Sequence, residues 1–174
     1  MDNYNKDVYM NYNINDIADY IILKIKSEDS ASLINLKLQK LLYYIQAWSY
    51  GIKHDNFFIG DFQAWIHGPV NREIYDRFKD TKTLYSDINL DDVINNDVMS
   101  QICNDDAVFI EYILENYAQF TGAELEEMTH NEDPWINTRK GLKPNQRCEK
   151  VIDSSLMKSY YEKKWSEINS SKEE

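Results

Sequence analysis

The chain has 174 residues, of which 43% are hydrophobic and 13% aromatic, and its 30 Asp and Glu outnumber 19 Lys and Arg. This size and apolar content fit one folded domain and exclude an intrinsically disordered chain. The small numbers of Gly, Pro and Cys, and the lack of any run of about 20 apolar residues, exclude a turn-rich β-sandwich, a disulfide scaffold and a membrane-spanning protein.

The first predicted helix follows a polar head, residues 1–13, that we expect to be loosely ordered. Because this head lacks a basic start followed by an apolar run, no signal peptide is predicted and we expect a cytoplasmic protein. Asn15 is a suitable N-cap, and residues 27–30 are expected to form the loop after the helix. From Ile14 to Ile25, apolar residues recur at the spacing of one helical face. They are Ile14, Ile17, Ala18, Ile21, Ile22 and Ile25.

The second predicted helix covers residues 36–49, with Asn35 as its cap and Gly51 at its end. Most of its circumference is apolar or aromatic, which is typical of a helix buried against several neighbours. We therefore expect this helix at the centre of the fold. The side chains predicted to be buried along it are Leu38, Leu41, Leu42, Ile45 and Trp48.

The stretch after the second helix is less regular. Residues 59–66 carry apolar side chains in a pattern that allows either one short strand or a turn of helix. Pro69 can open the next helix, because the first helical position needs no N–H partner. We therefore predict a fixed turn at Gly68–Pro69, a hydrogen bond from His67 near it, and a helix over residues 70–79.

The second half of the chain predicts several further helices. Thr121 and Glu124 have the spacing of a capping box, and Asp153 can cap the last helix. Residues 169–174 are expected to fray. The predicted fold is all-α (mainly α), one compact domain over residues 14–168 with at most one small β element. Its further helices are expected near residues 90–102, 104–117, 121–130, 134–139 and 153–168.

Charge is unevenly distributed along the chain. Residues 84–133 hold 13 Asp and Glu and no Lys or Arg. Such a segment is either a solvated surface that keeps the protein soluble or a docking face for a basic partner. Nucleic-acid binding needs Lys and Arg clustered on one surface. Only two stretches of the sequence are dense in basic residues, Lys37 with Lys40 and residues 139–150. We therefore expect no direct nucleic-acid partner.

Signatures of catalysis are sparse. An enzyme needs a nucleophile with its base, a carboxylate pair, a metal cluster or a phosphate loop. The sequence has no HExxH, CxxC or glycine-rich phosphate motif, and its three His are far apart. His67, His130 and Cys148 leave a metal- or thiol-dependent enzyme open, although such thiols are commonly buried packing residues. We predict no catalytic site, no metal and no cofactor.

Two strings combine apolar and polar residues in a way that core packing alone does not require. One is Lys37-Leu38-Gln39-Lys40-Leu41-Leu42-Tyr43-Tyr44, and the other is Ala64-Trp65-Ile66-His67-Gly68-Pro69-Val70, which continues to Tyr75. They fit a core helix followed by a Pro-initiated one. They also fit an interface, where Tyr and Trp bury large areas and keep a polar group. The candidate partner-binding residues are Lys37, Gln39, Lys40, Tyr43, Tyr44, Trp65, His67, Gly68, Pro69 and Tyr75.

Together, the two strings resemble the Panacea (SocA-like) antitoxin domain. The similarity continues through Thr121-Gly122-Ala123-Glu124-Leu125, His130 and Pro134-Trp135 into the last helix, and covers roughly residues 12–165. This family occurs in bacteria and prophages, encoded beside many unrelated toxins. The resemblance implies a helical domain that acts as an antitoxin by direct protein contact, without an enzymatic step. In the SocA branch the domain is also an adaptor that hands its toxin to an ATP-dependent protease.

Three functional hypotheses follow. The first is a cytoplasmic antitoxin that binds a cognate protein toxin, and the second is a proteolytic adaptor with an ATP-dependent protease as its second partner. The third is the metal- or thiol-dependent enzyme. The sequence leaves the identity of the toxin and the oligomeric state open. We predict that Lys37, Gln39, Tyr43, Tyr44, Trp65 and His67 lie near one surface or groove, and that the acidic charge of residues 84–133 speeds encounter with the partner.

Overall fold

The computed structural model describes residues 12–27 and 32–171. Within these residues the chain forms eight α-helices and two sheets of two strands each, so the predicted mainly α fold is confirmed. No helix in this part of the chain is long and apolar enough to cross a membrane. The helices are α1 (Ile14–Lys26), α2 (Asn35–Ile52), α3 (Arg72–Phe78), α4 (Val98–Gln101), α5 (Asn104–Tyr117), α6 (Gly122–His130), α7 (Asp133–Thr138) and α8 (Ser154–Ser170). The strands are β1 (Tyr12–Asn13), β2 (Phe58–Ile59), β3 (Phe62–Trp65) and β4 (Gly68–Asn71).

Helix α1 begins where the apolar stripe predicts it, but its N-cap is Asn13 rather than Asn15. The Asn13 side chain accepts a hydrogen bond from the Asn15 main-chain N–H at 2.8 Å. Asn13 also belongs to β1, which pairs in parallel with β2. The predicted loose head falls mostly on residues 1–11, and the predicted loop mostly on residues 28–30. Both stretches lie outside the described residues.

Helix α2 is longer than predicted and contains Gly51 instead of ending at it. A Cβ atom on Gly51 would lie 2.8 Å from the main-chain oxygen of Tyr161 in α8. The glycine therefore allows α2 and α8 to approach closely. Around its circumference α2 packs against α1, α5, α6, α8 and β4. The predicted burial is confirmed for Leu38, Leu41, Leu42, Ile45 and Trp48.

The irregular stretch after α2 forms a β-hairpin of β3 and β4. With the β1–β2 pair, the structure has two small β elements, so the expectation of at most one is wrong. Pro69 lies inside β4 and not at a helix start. It is tolerated there because the pair of Ala64 and Pro69 needs no hydrogen bond from Pro69. Ala64 donates its N–H to the Lys150 carbonyl at 2.9 Å, on the side away from β4. Helix α3 begins later, at Arg72. Its N-cap is Asn71, whose side chain accepts a hydrogen bond from the Ile74 N–H at 3.0 Å.

The predicted helix at residues 90–102 is replaced by a short 3-10 helix (Leu90–Asp92) and α4. The chain between them is held by Asp19 of α1, whose buried carboxylate accepts hydrogen bonds from the N–H groups of Ile94 and Asn95 at 3.2 and 2.8 Å. Arg77 completes this arrangement by binding Asp19 at 2.5 Å. These main-chain bonds to a distant side chain take the place of helical bonds.

The ends of the later helices follow the sequence closely. Thr121 and Glu124 form the predicted capping box at α6. Asp153 caps α8, and its side chain accepts a hydrogen bond from the Ser155 N–H at 2.8 Å. Helix α8 continues to Ser170, which is two residues into the stretch expected to fray.

Candidate interaction site

The two sequence strings meet each other in the structure, at the outer edge of β4. The Gln39 Oε1 accepts a hydrogen bond from the Asn71 N–H at 2.9 Å, and its Nε2 donates to the Asn71 carbonyl at 3.2 Å. Lys40 Nζ donates to the Pro69 carbonyl at 3.0 Å. All four residues are buried. The polar side chains of α2 therefore satisfy the free edge of the hairpin.

Gly68 is required at this junction for two reasons. Its φ of +88° lies in the region that favours glycine. A Cβ atom there would also lie 2.7 Å from both Lys40 Cε and Thr129 Oγ1. The ammonium group of Lys40 is fully buried, and this desolvation lowers its pKa to about 7, although Glu126 acts in the opposite direction.

A second polar cluster surrounds Glu132, only 4% of which is exposed. Its carboxylate accepts hydrogen bonds from the hydroxyl groups of Tyr161 at 2.6 Å and Tyr44 at 3.3 Å, and from Lys164 Nζ at 3.3 Å. Burial raises the pKa of Glu132, while Lys164 and the hydroxyl donors oppose the shift. The Tyr44 ring stacks on Tyr117 with centroids 4.0 Å apart. The sequence analysis placed Tyr44 at an interface and did not identify this cluster.

Lys37 lies apart from these clusters, at a cleft of about 450 Å³ between α1, α2 and α5. Its Nζ donates to the Ala118 carbonyl at 2.6 Å. Partial burial lowers the pKa of its ammonium group. The other residues that line this cleft include Lys24, Ile25, Leu114 and Gln119.

A second cleft, of about 300 Å³, lies beside the hairpin turn, and we call it the hairpin cleft. The rings of Trp65 and Tyr75 meet edge to face there, with centroids 4.8 Å apart. His67 lies at the same cleft, and its Nδ1 is 3.1 Å from Glu126 Oε1, which agrees with the predicted hydrogen bond near the turn. The residues that line the cleft include Trp65, His67, Arg72, Tyr75, Arg147 and Cys148.

The ten candidate residues therefore do not share one exposed surface. Trp65, His67 and Tyr75 come together at the hairpin cleft, and Lys37 lies at the other cleft. The expectation of a shared groove is wrong, because Lys37 lies at a different cleft from Trp65 and His67, and Gln39, Tyr43 and Tyr44 are buried within the fold. The other six candidate residues are all buried. These six are Gln39, Lys40, Tyr43, Tyr44, Gly68 and Pro69. Binding of a partner by the exposed members stays a prediction.

The acidic segment is also more engaged within the fold than its sequence suggests. Several of its carboxylates pair with Lys side chains from other elements, and Glu124 is used in the capping box. These pairs favour a structural and solvated role for many of the 13 acids over a single docking face. They are Lys24–Glu111, Lys53–Asp106, Lys82–Asp92 and Lys164–Glu132.

Two of the residues considered for catalysis, His67 and Cys148, line the hairpin cleft. Within residues 12–27 and 32–171, no group of three or more His, Cys, Asp and Glu side chains is arranged to hold a metal ion. The His130 ring stacks on Trp135 at 4.1 Å, and burial lowers the pKa of His130. Cys148 is buried, whereas Cys103 is exposed.

Comparison with protein families gives a match over the part of the chain that contains both strings except Lys37. The family described as "Antitoxin SocA-like, Panacea domain" matches residues 38–136, which is more than half of the sequence. The chain belongs to the SocA-like Panacea antitoxin family. No curated protein matches it, and no solved structure does.

The match to this Panacea family begins within α2 and ends within α7. It includes the hairpin, the buried Gln39 and Lys40 contacts, and four of the six cleft residues named above. Helices α1 and α8 lie outside the matched range, although α8 packs extensively on α2. Membership of an antitoxin-like family indicates a non-enzymatic role.

Proposed function

We propose that the protein is a cytoplasmic antitoxin that neutralises a protein toxin, encoded by a neighbouring gene, through direct binding. The observation that carries this proposal is the antitoxin-family match from α2 to α7. Direct binding agrees with the structure, because clefts and exposed aromatic groups are available at the surface.

The surface that best suits such binding is the hairpin cleft. Trp65 and Tyr75 are half-buried there, so a partner side chain could cover their remaining exposed area. Residues of this kind supply much of the energy at protein interfaces, because they combine large apolar area with few rotatable bonds. His67 adds a polar group at the edge, beside the exposed ring of Tyr85 at 6.3 Å. We propose that this cleft contacts the toxin.

The test is co-expression of the chain with each neighbouring gene. One of these genes should arrest growth when expressed alone, growth should recover when this chain is present, and the two proteins should co-purify. A neighbouring set with no toxic gene, or rescue without a complex, would contradict antitoxin action by binding. Repeating the rescue in cells that lack ATP-dependent proteases separates direct neutralisation, which persists, from an adaptor function, which is lost.

Variants localise the contact. Trp65→Ala and His67→Ala should weaken rescue and co-purification. Tyr112→Ala is the matched control, because Tyr112 is an exposed aromatic residue on α5 that does not line the hairpin cleft. Circular dichroism of each purified variant shows whether the fold is retained. Equal rescue by all three folded variants would place the contact elsewhere on the protein.

A further inference from the structure

The hairpin cleft has a preformed apolar wall. Trp65 Nε1 donates to Gln63 Oε1 at 2.8 Å, and the Trp65 carbonyl accepts a hydrogen bond from Trp135 Nε1 at 2.9 Å. These two bonds fix the indole and its main chain, while Tyr75 packs against the ring from α3. Because the wall is already ordered, covering it with a ligand side chain costs little conformational entropy, which favours binding.

Two arginines stand beside the apolar wall with part of their donor groups unused. The Arg72 guanidinium carbon is 5.4 Å from the Tyr75 ring centroid, and its Nε binds the Asp76 carboxylate at 3.3 Å. Its Nη1 is 4.0 Å from Glu149, which is beyond hydrogen-bond distance. Arg147 binds a single oxygen of the same Glu149 through Nε and Nη2, and its side chain is 83% exposed.

A guanidinium group has five N–H donors in a planar fork, and a carboxylate matches this fork with two oxygens. Within residues 12–27 and 32–171, the structure shows no hydrogen bond from the Nη atoms of Arg72 or from Nη1 of Arg147. Glu149 shows which kind of group is attracted here, since its carboxylate accepts hydrogen bonds from Arg147 and lies 4.0 Å from Arg72. A second carboxylate can therefore enter at the unused donors.

The chain around Arg147 is basic, in a protein whose formal net charge is −11. Residues 139–150 hold five Lys and Arg and one acid. Arg139 is buried and ties this segment to the hairpin, donating to the Ala64 carbonyl at 2.8 Å and the Gln146 carbonyl at 2.6 Å. The other bases are exposed, so this segment adds positive charge on the side of Arg147. They are Lys140, Lys143, Arg147 and Lys150.

From the apolar wall, the unused donors and the local charge, we infer that the hairpin cleft binds an acidic segment of the toxin. An Asp or Glu side chain of that segment binds Arg72 and Arg147, and a neighbouring apolar or aromatic side chain covers Trp65. This inference rests on the proposed antitoxin function. Nucleic-acid phosphate is disfavoured, because two arginines at one cleft match a single carboxylate and do not form the cluster of Lys and Arg that a run of phosphates needs.

A peptide titration of the isotope-labelled full chain tests the chemistry without the toxin. The probe is acetylated, amidated Gly-Glu-Trp-Glu-Gly, and the matched control peptide carries Gln in place of both Glu. The indole N–H signal of Trp65, assigned from Trp65→Phe, should shift with the acidic peptide and much less with the control. Equal shifts with both peptides, no shift at millimolar peptide, or stronger binding of oligothymidylate would overturn the inference.

Variants with one charge removed test the arginines. Arg72→Gln and Arg147→Gln should each raise the Kd of the acidic peptide about five- to tenfold, because a charge-assisted bond is lost at a partly exposed site. Lys163→Gln is the control for the loss of one positive charge, since Lys163 is 78% exposed on α8. An equal effect of all three changes would mean that net charge alone attracts the peptide, and would overturn the site.

The same variants applied to the toxin complex distinguish the two proposals. If a neighbouring toxin co-purifies with the wild-type chain but binds equally well to Arg72→Gln and Arg147→Gln, the antitoxin function stands and the acidic-segment site is wrong. If no neighbouring protein is toxic or co-purifies, the proposed function fails. The peptide titration then still decides whether the cleft recognises carboxylates.

Discussion

Gln39 and Asn71 form a reciprocal pair in which one side-chain amide binds both polar groups of one main-chain residue. The Gln39 oxygen accepts from the Asn71 N–H at 2.9 Å, and the Gln39 nitrogen donates to the Asn71 carbonyl at 3.2 Å. The amide thus occupies the place of a neighbouring strand at the edge of β4. Because the junction is buried, water does not replace these bonds.

Replacing Gln39 with Leu should lower the free energy of unfolding by about 1–3 kcal/mol, because the Asn71 N–H and carbonyl would be left buried without partners. Urea unfolding followed by circular dichroism measures this change. Gln119→Leu, at an exposed position just after α5, is the control and should change stability by less than about 0.5 kcal/mol. Similar effects of the two substitutions would show that the pair adds nothing to stability.

Lys40 should make stability depend on pH in the neutral to alkaline range. Its folded-state pKa of about 7 lies below the ordinary 10.5, so between these values the unfolded chain binds more protons than the native one. The contribution of Lys40 to the free energy of unfolding therefore rises with pH across this window, with a slope approaching about 1.4 kcal/mol per pH unit.

This dependence is measured as the difference in unfolding free energy between wild type and Lys40→Met from pH 7 to 9.5. Subtraction of the variant removes the contribution of the buried tyrosines, which titrate at higher pH. Lys163→Met on the exposed face of α8 should show no such slope relative to wild type. A flat difference for Lys40→Met would mean that Lys40 is not desolvated in the native state.

Leu41 is completely buried on α2, and Leu41→Ala should cost about 2–5 kcal/mol of stability through lost apolar contacts and the cavity left behind. Leu90 offers the same substitution on the surface, since it is 50% exposed. Leu90→Ala should change the free energy of unfolding by less than about 0.5 kcal/mol. Equal losses in urea unfolding would contradict the position of α2 in the core.

Glu132 should have the opposite pH dependence to that of Lys40. Because burial raises its pKa, the native state binds more protons than the unfolded chain from pH 4.5 up to the raised folded pKa. The contribution of Glu132 to stability therefore falls as pH rises through this range. Glu132→Gln should gain stability relative to wild type over the same interval, measured by urea unfolding. The exposed Glu127→Gln is expected to show no such gain.

Local patterns predicted those elements whose boundaries depend on neighbouring residues. The stripe that begins at Ile14 placed α1, the Thr121–Glu124 capping box placed α6, and Asp153 placed the start of α8. In each case the helix periodicity and the cap lie within a few residues of one another, so the sequence contains the whole signal.

Distant contacts decided the parts that were predicted wrongly. Glycine is common at the ends of helices, but Gly51 lies inside α2, where it allows the close approach of Tyr161. A helix was expected across Asn95, yet Asp19 binds its main chain from α1. No local pattern reveals a partner that lies tens of residues away, because the hydrogen bond exists only after both segments are packed.

The sequence by itself determined the mainly α fold, the family and the residue types that matter, since apolar periodicity and a specific pair of strings are visible without coordinates. Only the tertiary structure decided which of those residues are buried and which lie at a cleft. It buries Gln39 and Lys40 against the edge of β4, and it brings Trp65 beside Arg147. The physical reason is that a main-chain edge must be satisfied wherever it is buried, and the nearest polar side chains are drawn inward to bind it.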